Sequence, residues 1–316
     1  MNAAARPIST PAVDTGRPVL VCGVGRSGTS LLQSMLNAHP DLAFPPETHF
    51  FRRYVMSGEL DAWGTPERRE LEARLAADED FARAGVSTEP LLAADSPVDA
   101  FLQLLALVAQ ASGKRRVGDK DPRSIDCLPA LAGALPGARV VHVVRDPRDV
   151  LVSRMKAAWS AHRPWWVHPL IQAEQLRRGR IEGPRCFGEG YLEVRYESLL
   201  AAPEFELRRI CRHLDLEFTP EMLDFGSSAR RLVDERELSW KKETLGPLLT
   251  ANAGKWRKQL SPFQVAWTEA VCAEAFDELG YERSESCSAL LDALAAGGRA
   301  AMRSAYARRV GGRRLP

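Results

Sequence analysis

Between Gly23 and Ser30 the chain reads Gly-Val-Gly-Arg-Ser-Gly-Thr-Ser, placing three glycines, one arginine and three hydroxyl side chains within eight residues. Glycines let successive backbone N–H groups turn inward, and Arg26 adds a fixed positive fork. Ser27, Thr29 and Ser30 add donors to anionic oxygens. Together these residue types make a cradle for a phosphate or a similar oxyanion. Gly23, Gly25 and Gly28 satisfy the dinucleotide pattern G-x-G-x-x-G. The P-loop pattern G-x-x-x-x-G-K-[ST] fails at one position, where Thr29 replaces the lysine, which disfavours an ordinary ATP- or GTP-splitting enzyme. A tight turn with no ligand would need neither the arginine nor three hydroxyls.

Further chemistry lies downstream. Lys120 stands in Gly118-Asp119-Lys120-Asp121-Pro122, and Arg145 opens the string RDPRDVLVS, with Ser153 eight residues on. A chain that turns back at Asp146-Pro147 can bring Arg145 and Ser153 to one anionic group; the alternative is a structural ion pair between Arg145 and Asp149. Pro45-Pro46 makes an extended or turning segment that delivers Glu47, Thr48 and His49. Glu47 is a candidate general base, with His49 as its rival; the alternative is that Glu47 caps a helix starting near Thr48. A basic stretch, Lys255-Trp256-Arg257-Lys258, lies near the end of a polar loop.

Elements must hold these groups together. Val19 to Cys22 reads as a buried strand, and Leu31, Leu32, Met35 and Leu36 give the following segment one apolar helical face. That helix offers its unpaired N-terminal donors and positive dipole end to the cradle. Arg139 to Val144 is a near-continuous apolar strand, as expected of a parallel strand covered on both faces, and Tyr191 to Arg195 is a shorter one. Helical spacing is visible over Glu67–Ala77, Val98–Ala109, Ile125–Leu135, Val150–Ala158 and Leu207–Leu214, and again after Ser261-Pro262. Trp159 to Arg185, with Trp159, Trp165, Trp166 and Arg163, has no clean period and is read as a possible acceptor-lining or core region. Strands alternating with helices predict an α/β fold with a central parallel sheet flanked by helices, in one domain, with ligands at the strands' carboxyl ends. The basic residues Arg26, Lys120 and Arg145 fall at three such strand-to-helix junctions.

With 316 residues, 45% hydrophobic and 27% charged, the composition is that of a soluble globular protein. A formal net charge of +2 gives no reason to expect bulk nucleic-acid binding. The chain has no run of 18 apolar residues, so no transmembrane segment is expected. Residues 1–17 read as a disordered lead-in, and 284–316 as a peripheral helical, arginine-rich tail able to touch an anionic membrane. Six cysteines form no C-x-x-C pair, which supports neither a metal site nor a disulfide framework and makes the cytoplasm the simplest address.

In order along the chain, GVGRSGTSLL, PPETHFF, GDKDP, RDPRDVLVS, VRYESLL and GKWRKQL resemble the sulfotransferases that use 3′-phosphoadenosine 5′-phosphosulfate (PAPS). The resemblance covers residues 18 to about 282 and is greatest to a bacterial branch sharing features with tyrosylprotein sulfotransferases. It implies a P-loop-like fold over 18–283, PAPS as cosubstrate, no metal, and transfer of a sulfuryl group to an acceptor hydroxyl or amine. By the same resemblance Gly25, Arg26, Ser27, Gly28, Thr29 and Ser30 hold the 5′-phosphosulfate, and Arg145 and Ser153 hold the 3′-phosphate. Tyr196 lies near the adenine, Arg257 belongs to the basic closing loop, Glu47 is the base, and Lys120, the lysine of the K-D-P string, joins Glu47 and Arg26 among the catalytic residues. Ser239 is a weak match to that branch's catalytic serine. The acceptor stays open among carbohydrate, lipid, peptide and small metabolite. Two other readings compete: an NAD-type oxidoreductase built on the glycine pattern, and a non-catalytic nucleotide-binding protein.

Overall fold

The computed structural model describes residues 12–56, 64–233, 252–284 and 288–312. Five strands form one parallel sheet: β1 (Asp14–Gly23), β2 (Leu42–Ala43), β3 (Arg116–Lys120), β4 (Arg139–Val144) and β5 (Tyr191–Arg195), in the order β2-β3-β1-β4-β5. The apolar run Val19–Cys22 puts β1 at the centre, flanked by β3 and β4, because only a strand buried on both faces can be apolar throughout. Leu20 and Cys22 face a core that includes Phe101, Leu104, Leu128 and Leu131. Val19 and Val21 face another, with Leu32, Met35, Leu36 and Ile210. The sheet is therefore covered by helices on both sides, a single α/β domain of P-loop-like architecture.

Helix α1 (Thr29–Asn37) follows β1 across the cradle, and α2 (Pro97–Ala111) packs on the Leu20 face. After β4 comes α3 (Pro147–Lys156), whose N-cap Asp146 accepts from the Arg148 backbone N–H. Helix α4 (Val167–Phe187) follows, and β5 is succeeded by the short Tyr196–Ala201 helix and then Pro203–His213. Two short helices, Pro262–Val271 and Ala273–Leu279, precede the C-terminal helix α5 (Ala289–Gly312).

Several boundaries differ from those expected. β1 begins at Asp14, inside the stretch read as lead-in, because Asp14 pairs with Arg116 and lengthens the ladder. The Gly-Asp-Lys stretch read as a junction is strand β3, whose charged residues are buried at the sheet's carboxyl end. The region expected to lack a period forms the 21-residue α4. Its inward face carries His168, Gln172 and Gln175 at i, i+4 and i+7, a helical period written in polar residues. The C-terminal helix is not a peripheral tail: Ala295 is fully buried beside Leu170, Ala270 and Phe276, and Arg299 donates to the Ala270 carbonyl. No helix among the described residues is long and apolar enough to cross a membrane.

Candidate active site

The cradle between β1 and α1 is shaped by backbone that ordinary residues avoid. Gly28 has φ of 105°, and a Cβ there would sit 2.2 Å from the Tyr196 ring. Arg26 has φ of 83° and His49 φ of 54°, leaving Asp215 as the only other non-glycine residue with positive φ among the described residues. Strain of this kind, on the order of 1–3 kcal/mol per residue, persists where the surroundings enforce it. His49 leads directly into a π-helical turn, Phe51–Val55, another feature frequent at functional sites. Ser27 is buried in the cradle, its Oγ without a hydrogen-bond partner among the described residues. Thr29 is also buried, at the first turn of α1.

Side chains from four junctions converge there. Arg26 Nε donates to Ser153 Oγ at 2.9 Å, joining the cradle to α3. Arg145 donates from its two terminal nitrogens to the carbonyls of Arg26 (3.2 Å) and Asn252 (2.6 Å), and its guanidinium lies 4.4 Å over the Tyr196 ring. Lys120, 1% exposed at the end of β3, bonds Glu47 and lies 3.5 Å from Ser30 Oγ. The Pro45-Pro46 segment thus delivers Glu47 to a buried ammonium beside the cradle rather than to a helix cap. Thr48 Oγ1 accepts from the Phe50 backbone N–H just before the turn, without capping it.

A second layer sits behind Glu47. His49 Nδ1 is 3.1 Å from Asp121 Oδ2, and Nε2 is 3.8 Å from Glu47. Arg52 Nε donates to the same Asp121 oxygen at 3.0 Å. Burial disfavours charge on both His49 and Asp121, but each outweighs that cost for the other, with Arg52 adding to the effect on Asp121. His49 is therefore held above its ordinary value and Asp121 far below the usual carboxylate range. Glu47, His49 and Asp121 bring one ligand atom each within 4.8 Å of one another, the spacing of a metal site. Lys120 on Glu47 and Arg52 on Asp121 already supply positive charge there.

The remaining expectations divide. Arg145 does not pair with Asp149, whose carboxylate accepts from the backbone N–H groups of Gly254 (2.6 Å) and Trp256 (2.9 Å) and so fastens the closing loop to α3. From that loop it is Asn252 that meets Arg145, while Arg257 is exposed and stacks on Trp256. Gly25 borders the cradle, where a Cβ would lie 3.2 Å from Trp159. Ser239 lies outside the described residues. Asn252, Asp121 and Arg52 were missed; only the contiguity of Asp121 with Lys120 could have signalled one of them. A groove lined by Leu170, Ile181, Cys272 and Arg303 shares no residue with the cradle.

A parallel sheet with a glycine-rich oxyanion cradle after its central strand, and basic side chains at the neighbouring strand ends, defines an α/β protein of the P-loop-like class. A family model described as Sulfotransferase family matches residues 18–220, and the chain belongs to that family. It is 28% identical over 276 residues to Protein-tyrosine sulfotransferase 1 of Danio rerio, covering 84% of this chain and 72% of that protein. A shorter similarity, 28% over 166 residues, links it to Carbohydrate sulfotransferase 1 of Danio rerio, covering 47% of this chain and 39% of that one. The sulfotransferase domain of the Synechococcus PCC 7002 olefin synthase shares the fold, with a TM-score of 0.61 at 21% identity over 89% of this chain and all of that one.

Proposed function

We propose that the chain transfers the sulfuryl group of 3′-phosphoadenosine 5′-phosphosulfate to an acceptor hydroxyl by in-line displacement. The observation that carries this reading is the Glu47–Lys120 pair placed beside Ser30 at the mouth of the cradle. A purely nucleotide-binding protein needs the cradle but has no use for a carboxylate there. A dehydrogenase would use Glu47 on a ribose at the end of a second strand, whereas Glu47 lies in a turn after the two-residue β2, bonded to a buried lysine.

In this reading Gly25 to Ser30 hold the 5′-phosphosulfate, with Arg26 directed at the bridging oxygen. Arg145 and Ser153 take the 3′-phosphate, Tyr196 flanks the adenine, and Arg257 closes over the nucleotide. Ser27 Oγ, buried and without a protein partner among the described residues, suits a phosphate oxygen. Glu47 takes the acceptor's proton as the oxygen attacks sulfur. Lys120 then turns from Glu47 toward the leaving phosphate, where fixed positive charge offsets the charge that develops. His49, its pKa raised by Asp121, stays on the other side of Glu47 with its Nε2 3.8 Å from the carboxylate. The similarity to protein-tyrosine sulfotransferases favours a phenolic hydroxyl as acceptor.

Calorimetry with 3′,5′-adenosine bisphosphate, beside NAD and ATP, tests the donor site. Tight binding of the bisphosphate, lost in Arg145→Ala and unmatched by NAD or ATP, is the expected result. Preference for NAD would overturn the reading.

A further inference from the structure

Arg154 is the residue after Ser153 on α3. Its side chain is 4% exposed, yet no carboxylate among the described residues lies within ion-pair distance of it. Its Nε donates to His168 Nδ1 at 3.3 Å, and its guanidinium lies 5.1 Å over the Trp159 ring. Trp159 and an Arg154 terminal nitrogen both border Gly25, at 3.2 and 3.7 Å from where a Cβ would be. The guanidinium therefore sits beside the cradle.

A buried cation without a counter-charge is costly, and proteins retain one where an anion arrives. Its neighbours make the same demand. Because His168 Nδ1 accepts from Arg154, the proton of the neutral ring is on Nε2, and that donor has no partner among the described residues. One turn further along α4, Gln172 is fully buried with both amide atoms unpartnered among the described residues. Arg163 and Arg123 add positive charge near Arg154, and the carboxylate acting on it, Asp126, is already engaged by Arg123 and Gln175. Tyr306 of α5 lies within electrostatic reach of Arg123 and Arg154.

We propose that Arg154, with His168 and Gln172, forms an acceptor-side subsite for an anionic group (a carboxylate, phosphate ester or sulfate ester) borne by the molecule that receives the sulfuryl group. The subsite rests on the donor reading above. The anion donates nothing; it accepts from the Arg154 guanidinium and the His168 Nε2–H, with the Gln172 amide beyond, and this anchors the acceptor hydroxyl toward Glu47.

The test uses the full chain saturated with 3′,5′-adenosine bisphosphate, so that the donor's phosphate positions are filled. Two probes of equal size are titrated by calorimetry at fixed ionic strength: 4-hydroxyphenylacetate and its neutral counterpart 2-(4-hydroxyphenyl)ethanol. The wild type is expected to favour the carboxylate by roughly 10–100-fold. Arg154→Met is expected to erase that preference while binding the bisphosphate as the wild type does. Ligand-free Arg154→Met is also expected to melt no lower than the wild type, because the substitution removes an unpaired buried charge. Equal binding of both probes, no binding of the carboxylate, or a carboxylate preference that survives in Arg154→Met would overturn the subsite. So would a variant that melts several degrees lower or loses the bisphosphate, since Arg154 would then be structural or part of the donor site. Failure of the wild type to bind the bisphosphate would instead sink the donor reading; the Arg154 comparison, run on the ligand-free chain, would still decide the subsite.

Discussion

At Gly28 two independent constraints meet: a left-handed backbone, and the Tyr196 ring where a Cβ would have to go. Arg145 lies on the same ring, so a methyl group at position 28 would push Tyr196 and the guanidinium together. Gly28→Ala is therefore expected to lower the melting temperature and to weaken bisphosphate binding by at least about tenfold, since strain costs on the order of 1–3 kcal/mol. A melting curve and a calorimetric titration of the same sample check both; an unchanged affinity would separate Tyr196 from the nucleotide. Glu47 differs in kind, because the contact that places it at the cradle is with a side chain, Lys120. Glu47→Gln is expected to cut the transfer rate by roughly 10²–10⁴-fold while leaving bisphosphate affinity within a small factor. A single-turnover assay with PAPS, compared with His49→Gln, separates the two candidate bases: as the base, Glu47 accounts for the larger loss. These roles were only partly legible in the sequence. Residue types marked the cradle and the resemblance assigned roles to Glu47 and Lys120 separately, but their contact, 73 residues apart, was not legible, since no local pattern reports a contact at that range.

Legibility at the level of elements followed the hydrophobic period. β4 and β5 have the bounds read from sequence, because apolar runs between breakers leave little choice. β3 escaped because Gly118, Asp119 and Lys120 occupy a buried sheet position where apolar residues are expected. Helix α4 escaped for a related reason: its buried face carries His168, Gln172, Gln175 and Arg178. Such a face makes stability depend on pH. His142, fully buried on β4 against α4, has its Nδ1 2.5 Å from the Tyr191 hydroxyl, and burial pushes its pKa down to about 3. The native imidazole thus stays neutral where the unfolded one, with an ordinary value near 6.5, takes up a proton. The group's contribution is complete above that unfolded value and is lost as pH falls toward about 3. Each pH unit in that window costs about 1.4 kcal/mol. His142→Gln is expected to be less stable than the wild type at neutral pH but to lose less on acidification. Urea unfolding at several pH values between neutrality and pH 4 measures the two slopes, and equal slopes would show that His142 is protonated in the native state.

Across the whole molecule, the C-terminal helix connects the core to the side of the sheet where the acceptor is expected. It buries Ala295 against Leu170 and Phe276, anchors Arg299 on the Ala270 carbonyl, and pairs Arg303 with Glu274 at 3.1 Å. Three residues beyond Arg303 on the same helix, Tyr306 lies within electrostatic reach of Arg123 and Arg154, so one rigid element serves both packing and the polar flank of the cradle. The donor machinery, by contrast, draws its polar contacts from β1, β3, β4 and the turns after them, and it meets α5 through the apolar core that Val24, Val144 and Val150 share with Ala295. Ending the chain at residue 284 should therefore separate the two functions. Losing Ala295 and the partly buried Leu291 and Met302, and exposing the Leu170 and Phe276 face they cover, lowers stability by on the order of several kcal/mol. For a chain of this size that corresponds to a fall in melting temperature on the order of 10 °C. The truncated protein is expected to bind 3′,5′-adenosine bisphosphate with nearly the wild-type affinity below that temperature. Point substitution refines the comparison: Tyr306→Ala, which leaves the Ala295 packing in place, is expected to melt close to the wild type. A large drop in bisphosphate affinity on truncation, measured well below the melting transition, would show that α5 supports the donor site after all.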